Sequence, residues 1–360
     1  MRKLLFLVLL GGTSMAFAQQ PLKTENVVLV TWDGYRWQEV FGGLDKKWVT
    51  DKFVKSNTTK LKEQYDAPTR EERRHKLMPF FWDSIATKGT LIGNRWKGSK
   101  MAVTNGYKFS YPGYSEIFCG YGDKRVNSNE YPDNPNKNIF DFLVAKPEFK
   151  GKVAAFATWD AFPRIINSNR NQVPVFVNFK KENNIVTCSN VSYDKWQTTR
   201  PSVDPYIQTD TMTYHFAKEY MFRNHPRFVF IGFDETDHFA HEGQYDAYLN
   251  SANTEDRFLA DLWNFIQSDP QYKDKTTLIV TCDHGRGDKR PGMWRHHGQV
   301  IANAHNIWLA AIGPDLSANG EVKGGKKYKQ KQIAQTIARL LGSEYKDDHP
   351  VGEAIDILVK

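Results

Sequence analysis

Asn26-Val27-Val28-Leu29-Val30-Thr31-Trp32-Asp33-Gly34 is the stretch that decides the fold. It is a continuous, β-branched apolar run that stops at an Asp-Gly turn signal. A strand with one wet face would alternate, whereas a strand covered on both faces reads as an unbroken run. Two later segments repeat the pattern. Residues 227–233 are followed by Asp234, and residues 276–282 by Asp283. Further strands are expected at 90–95, 153–158 and 306–312. Helical patterns occupy 77–88, 112–118, 139–145, 206–222, 245–267 and 330–341, while 159–205 reads as loop-rich. Alternating strands and helices with continuous apolar strands predict an α/β fold: a mostly parallel central sheet with helices on both faces. No internal repeat or low-complexity linker divides residues 19–360, so one domain is expected. Residues 43–76 are charged and irregular, and are expected to be an insertion or lid at the mouth of a site.

The chain opens Met1-Arg2-Lys3, continues with an apolar run over 4–10, and reaches Ala16-Phe17-Ala18. A basic start, a short apolar core and an Ala-x-Ala end form a signal peptide over residues 1–18. The run is too short to cross a membrane. Export is therefore expected, with the periplasm as destination. The net charge of +8 suits a small anionic substrate, although a solvated basic surface explains it equally. No basic stripe or motif points to a nucleic-acid polymer. Cys119, Cys188 and Cys282 are too few for a disulfide framework, and with no Cys-x-x-Cys a thiolate metal site is not expected. Nothing in the sequence fixes an oligomeric state.

Asp33, Asp234 and Asp283 each sit just past the carboxyl end of an expected strand. In an open parallel sheet those ends converge on one crevice, where ligands bind. Three carboxylates there repel one another unless cations neutralise them. Histidines accompany them: Asp234-x-x-x-His238, Asp283-His284, and His297 in His296-His297-Gly298. Oxygen and imidazole donors without thiolate suit zinc or manganese in a catalytic role. Singly, each piece has an ordinary explanation as a turn, a cap or a solvated histidine; the set does not.

Asp33-Gly34, Asp234-x-x-x-His238, Asp283-His284-Gly285 and His297-Gly298 resemble, in order and rough spacing, the alkaline phosphatase superfamily. The closest resemblance is to its nucleotide pyrophosphatase/phosphodiesterase branch, and it covers nearly the whole chain after residue 18. The resemblance implies that Asp234, His238 and His297 hold one metal, with His296 as the rival of His297. It implies that Asp33, Asp283, His284 and the nucleophile hold the other. Ser110-Tyr111-Pro112-Gly113 resembles the branch's Thr-Phe-Pro-Asn, which makes Ser110 the nucleophile and a metal ligand; Ser115 and Thr104 are weaker candidates. Pro112 fits a first helical turn, whose N–H groups favour an oxyanion. Gly113 departs from the branch's Asn. An Asn that holds a phosphoryl oxygen in related enzymes finds its match in Asn129, with Asn127 as rival.

The resemblance implies a phosphoric ester hydrolase working through a phosphoseryl intermediate. The Lys-x-Arg pair of some phosphomonoesterases is replaced by Trp159 and Ala161. Arg164 either takes that role or pairs with Asp160. Tyr35, Trp37, Tyr111 and Tyr114 flank site residues and either stack on a substrate ring or pack the core. A sulfatase needs Arg where Tyr114 stands. A phosphoglycerate mutase carries a large inserted domain and no export signal. A phosphoethanolamine transferase carries membrane helices. A non-catalytic metal-binding member is the remaining alternative.

Overall fold

The computed structural model describes residues 22–177 and 209–359. The signal segment 1–18, Cys188 and much of the 159–205 segment lie outside the described residues. An eight-stranded sheet organises the chain, in the order β10-β2-β9-β7-β1-β6-β4-β5. Its strands are β1 (Asn26–Trp32), β2 (Thr90–Ile92), β4 (Val153–Ala157), β5 (Val175–Phe176), β6 (Phe228–Phe233), β7 (Thr276–Thr281), β9 (Leu309–Ile312) and β10 (Gly320–Glu321). Strands β7, β1, β6, β4 and β5 run parallel; β9 alone is antiparallel to both of its neighbours. The central strands are buried at every position, as their unbroken apolar runs require. A second sheet of β3 (Lys100–Ala102), β8 (Asn306–Ile307) and β11 (Lys327–Lys329) was not anticipated.

Helices flank the main sheet. The principal ones are α1 (Trp37–Gly42), α2 (Thr58–Tyr65), α3 (Arg70–Leu77), α4 (Ser110–Cys119), α5 (Ile139–Val144), α6 (Asp210–Asn224), α7 (Glu235–His241), α8 (Tyr245–Ser268) and α9 (Ile333–Leu340). None of the described helices is long and apolar enough to cross a membrane.

Two expectations need correction. Residues 43–76 are only partly irregular: their second half forms α2 and α3. Asn57 caps the first, and Thr69 with Glu72 forms a capping box on the second. Leu61, Tyr65 and Leu77 bury the inner faces. The single strand expected at 306–312 is split at Trp308 between the two sheets. There the indole donates to the Tyr35 carbonyl at 2.8 Å, and the Trp308 carbonyl accepts from Thr281 Oγ1 at 2.6 Å.

The strand register places the site. β1 pairs Trp32 with Phe233 on one side and Thr31 with Thr281 on the other. The residues that follow, Asp33, Asp234 and Asp283, therefore leave the sheet side by side at one rim.

Candidate metal centre

At this rim α4 begins with Ser110, placed by the loop before it. The buried Glu116 carboxylate accepts from the Thr104 and Asn105 backbone N–H groups and from the Thr104 hydroxyl. Thr104 is thus committed to loop structure. Ser115 faces Asn134 and Cys119 in the interior. Of the three candidate nucleophiles only Ser110 reaches the acidic rim. Its Oγ lies 3.3 Å from His284 Nε2 and 3.5 Å from Asp33 Oδ1.

Asp33, Asp283 and His284 form one group of convergent ligand atoms, all buried. Asp283 Oδ1 accepts the Gly34 N–H at 3.0 Å, while its Oδ2 is buried without a hydrogen-bond partner. Asp33 Oδ2 accepts from the Tyr114 hydroxyl at 3.0 Å. Burial, then repulsion from Asp283 and Asp237, raises the Asp33 carboxyl far above the usual carboxylate range. Burial likewise pushes Asp283 up to about 8. Such a pair is costly as two bare anions, and a divalent cation relieves both burial and repulsion. The orphaned Asp283 oxygen, the absence of thiolate and the gathered oxygen and nitrogen donors fit a hard or borderline metal.

A second group joins Asp237, His284 and His297. His241 belongs with it: its Nε2 lies 2.8 Å from His297 Nε2 and 3.1 Å from Asp237 Oδ2. His284 and His297 turn Nε2 inward because Nδ1 is occupied. His284 Nδ1 bonds the Gly285 carbonyl at 3.0 Å, and His297 Nδ1 bonds the Lys108 carbonyl at 3.3 Å. That arrangement orients metal-ligating imidazoles. Burial holds both imidazoles below the usual histidine value, His297 at about 4, so they present neutral nitrogens. Burial opposes ionisation of Asp237, but Arg286 and the histidines outweigh it and keep its carboxyl well below the ordinary range. Arg286 is buried, bonds Asp237, and donates to the Gly34 carbonyl at 3.0 Å. Gly34 has φ 56°, and a Cβ there would stand 2.7 Å from Asp237 Oδ1 and 2.9 Å from His284 Cε1. Only glycine fits this crowded turn.

Of the residues named from sequence, Asp33, Ser110, Asp283, His284 and His297 converge. Asp234 and His238 do not join either group. Asp234 precedes α7, and its backbone N–H is held by Asp210 at 2.9 Å. His238 lies against Phe239. His296 stands 3.5 Å from the Arg295 guanidinium and joins neither group. Asn129 reaches the start of α4, where its Oδ1 accepts the Tyr111 N–H at 3.0 Å; Asn127 is exposed. Arg164 does not pair with Asp160 but donates to the Tyr131 carbonyl at 2.8 Å. Tyr35, Tyr111 and Tyr114 are core residues. Sequence reasoning missed Asp237, His241 and Arg286. Asp237-x-x-x-His241 has the same spacing as Asp234-x-x-x-His238, three residues on, so the signal was present and ambiguous.

Fold and site together define a hydrolase of the alkaline phosphatase superfamily. The chain belongs to the type I phosphodiesterase / nucleotide pyrophosphatase family, whose model matches residues 44–344. No curated protein matches it. Among solved structures it resembles wild-type alkaline phosphatase PafA, at 12% identity and TM-score 0.56, covering 95% of this chain and 100% of that one. It also resembles a 2-O GAG sulfatase, at 11% identity and TM-score 0.59 with coverages of 92% and 73%. The lipoteichoic acid synthase LtaP from Listeria monocytogenes matches at 12% identity and TM-score 0.55, with coverages of 92% and 75%. At these identities the likeness speaks for the fold.

Proposed function

We propose that the chain is a two-metal phosphoric ester hydrolase in which Ser110 becomes transiently phosphorylated. The observation that carries this reading is the position of Ser110 Oγ, within 3.5 Å of both Asp33 and His284 at the head of a helix. Asp33, Asp283, His284 and Ser110 would hold one ion; Asp237, His241 and His297 would hold the other. Bound zinc or manganese would supply neutralising charge and Lewis-acid polarisation of hydroxyl and phosphoryl oxygens.

The protein's own groups do the rest. Ser110 Oγ forms the O–P bond as the ester oxygen departs, and water then cleaves the phosphoserine. Tyr114 fixes the Asp33 carboxylate, and the carbonyls of Gly285 and Lys108 fix the imidazoles. At the head of α4, Pro112 has no N–H and Asn129 takes that of Tyr111. The Ser110 N–H and the Asn129 amide NH2 are the groups left there to receive a phosphoryl oxygen. Tyr114, packed in the core beneath Asp33, stands where sulfatase chemistry would need Arg. The expected setting is the periplasm, after loss of residues 1–18.

Rates on an aryl phosphate monoester, an aryl phosphodiester and an aryl sulfate, with zinc present, test the reading. Phosphate esters should turn over and the sulfate should not. Ser110→Ala should lose activity by orders of magnitude. Near-normal rates in that variant would remove Ser110 from the chemistry.

A further inference from the structure

A cleft of about 440 Å³ opens between α1, α3 and the loop of Trp96, apart from the metal centre just described. Its size falls in the range of small-molecule sites. Trp37 and Trp96 line it with ring centroids 4.6 Å apart, and the Arg70 guanidinium lies 3.9 Å over the Trp96 ring. Trp96 is 43% exposed, so its ring is open to solvent at the cleft.

The charges of the cleft are unequally satisfied. Lys46 and Lys47 pair with Asp66 and Asp45 at 3.0 Å. Arg70 and Arg73 have no carboxylate partner among the described residues; Arg73 instead donates to the Ala67 carbonyl. Three lining residues carry buried polar atoms without partners: Trp37 Nε1, Gln38 Oε1 and Arg73 Nε. Trp37 and Gln38 are more than nine-tenths buried. Gln38 Nε2 is held by Asp288 Oδ2 at 3.0 Å, which leaves its carbonyl end as the unmatched acceptor.

We propose that this cleft binds a ring-bearing organic anion: the ring against the Trp37–Trp96 pair, the anionic group on Arg70 and Arg73. Indole faces accept aryl and sugar rings, and guanidinium forks match carboxylate, sulfate or phosphate. The proposal does not rest on the hydrolytic reading, since the cleft shares no residue with the metal centre.

Titration of the full chain with naphthalene-2-sulfonate, followed by calorimetry and by tryptophan fluorescence, tests it. This probe has no ester that the enzyme could hydrolyse at phosphorus. Saturable binding is expected, weakened about tenfold in Trp96→Ala and in Arg70→Ala, the loss of roughly one stacking or cation–π contact. Both side chains are substantially exposed, so the fold should survive; Arg70→Gln, which keeps the stem, is the milder check. Asp283→Asn should abolish hydrolysis and leave the affinity unchanged. Inorganic sulfate, which lacks a ring, should compete weakly. Glucuronate in place of the aryl probe distinguishes a sugar ring from an aryl ring. No saturable binding of either ring compound, or affinity that falls with Asp283→Asn and ignores Trp96 and Arg70, would overturn the proposal.

Discussion

His241 Nε2 lies 2.8 Å from His297 Nε2, and Asp237 Oδ2 lies 3.1 Å from the same His241 atom. Two imidazole nitrogens and a carboxylate facing one point are a cation-ligand arrangement. It is the reason the second ion is proposed for Asp237-x-x-x-His241 rather than for the equally spaced Asp234-x-x-x-His238. His241→Ala should lower zinc content by about one ion per chain and activity about a hundredfold, the upper scale for disturbed metal shells. His238→Ala should leave zinc content unchanged and activity within a few-fold. Metal content by atomic emission, with rates on an aryl phosphate, checks the pair; the reverse ranking would restore the other register.

This ambiguity shows where the sequence stopped being legible. The strands were readable because apolar runs such as 26–32 have only one comfortable environment, and their ends located Asp33 and Asp283 directly. Asp234 also ends a strand, yet it joins neither convergent group, for a local reason. Its backbone is taken up in starting α7 and bonding Asp210, while the next turn swings Asp237 and His241 toward His297. Spacing alone cannot tell two overlapping Asp-x-x-x-His sets apart; the direction of one helical turn does. The small second sheet stayed hidden because strands of two or three residues carry no periodicity.

Tyr114 donates to Asp33 Oδ2 at 3.0 Å from within the core. Removing that hydroxyl leaves Asp33 without its positioning partner while the ring still packs. Tyr114→Phe should therefore melt near the wild-type temperature but bind zinc about ten- to a hundredfold more weakly. Competition with a chelator reads the affinity. Unchanged affinity would reduce Tyr114 to a packing residue.

Gly113 replaces the Asn of the related branch, and the structure supplies the reason. A Cβ at this position would lie 2.6 Å from the Asp283 carbonyl oxygen, a backbone atom that cannot step aside alone. Helix α4 thus presses directly on the strand end that carries Asp283 and His284. Gly113→Ala should cost about 1–3 kcal/mol, the range for overpacked sites, and Gly113→Asn should cost more. Denaturant melts measure the loss, and activity should fall with it because Ser110 and Asp283 are pushed apart. A Gly113→Asn chain with full stability and activity would show that α4 can shift.

Asp256 lies far along α8 and offers a pH test independent of the metal centre. Its carboxylate accepts from the Phe80 and Phe81 backbone N–H groups at 2.9 and 2.8 Å. Burial, only partly offset by those bonds, raises it to about 7. In the unfolded chain it titrates near 4. Below about pH 4 both states are protonated, and the folded state keeps its full advantage. Between about 4 and 7 the unfolded chain ionises first, so this contribution declines and is lost as pH rises through 7. Asp256→Asn removes the titration. The melting temperature of the wild type, relative to Asp256→Asn, should therefore fall from pH 4 to pH 8. Other raised carboxyls cancel in that difference, and a difference that stays level across the range would mean that Asp256 is ionised throughout.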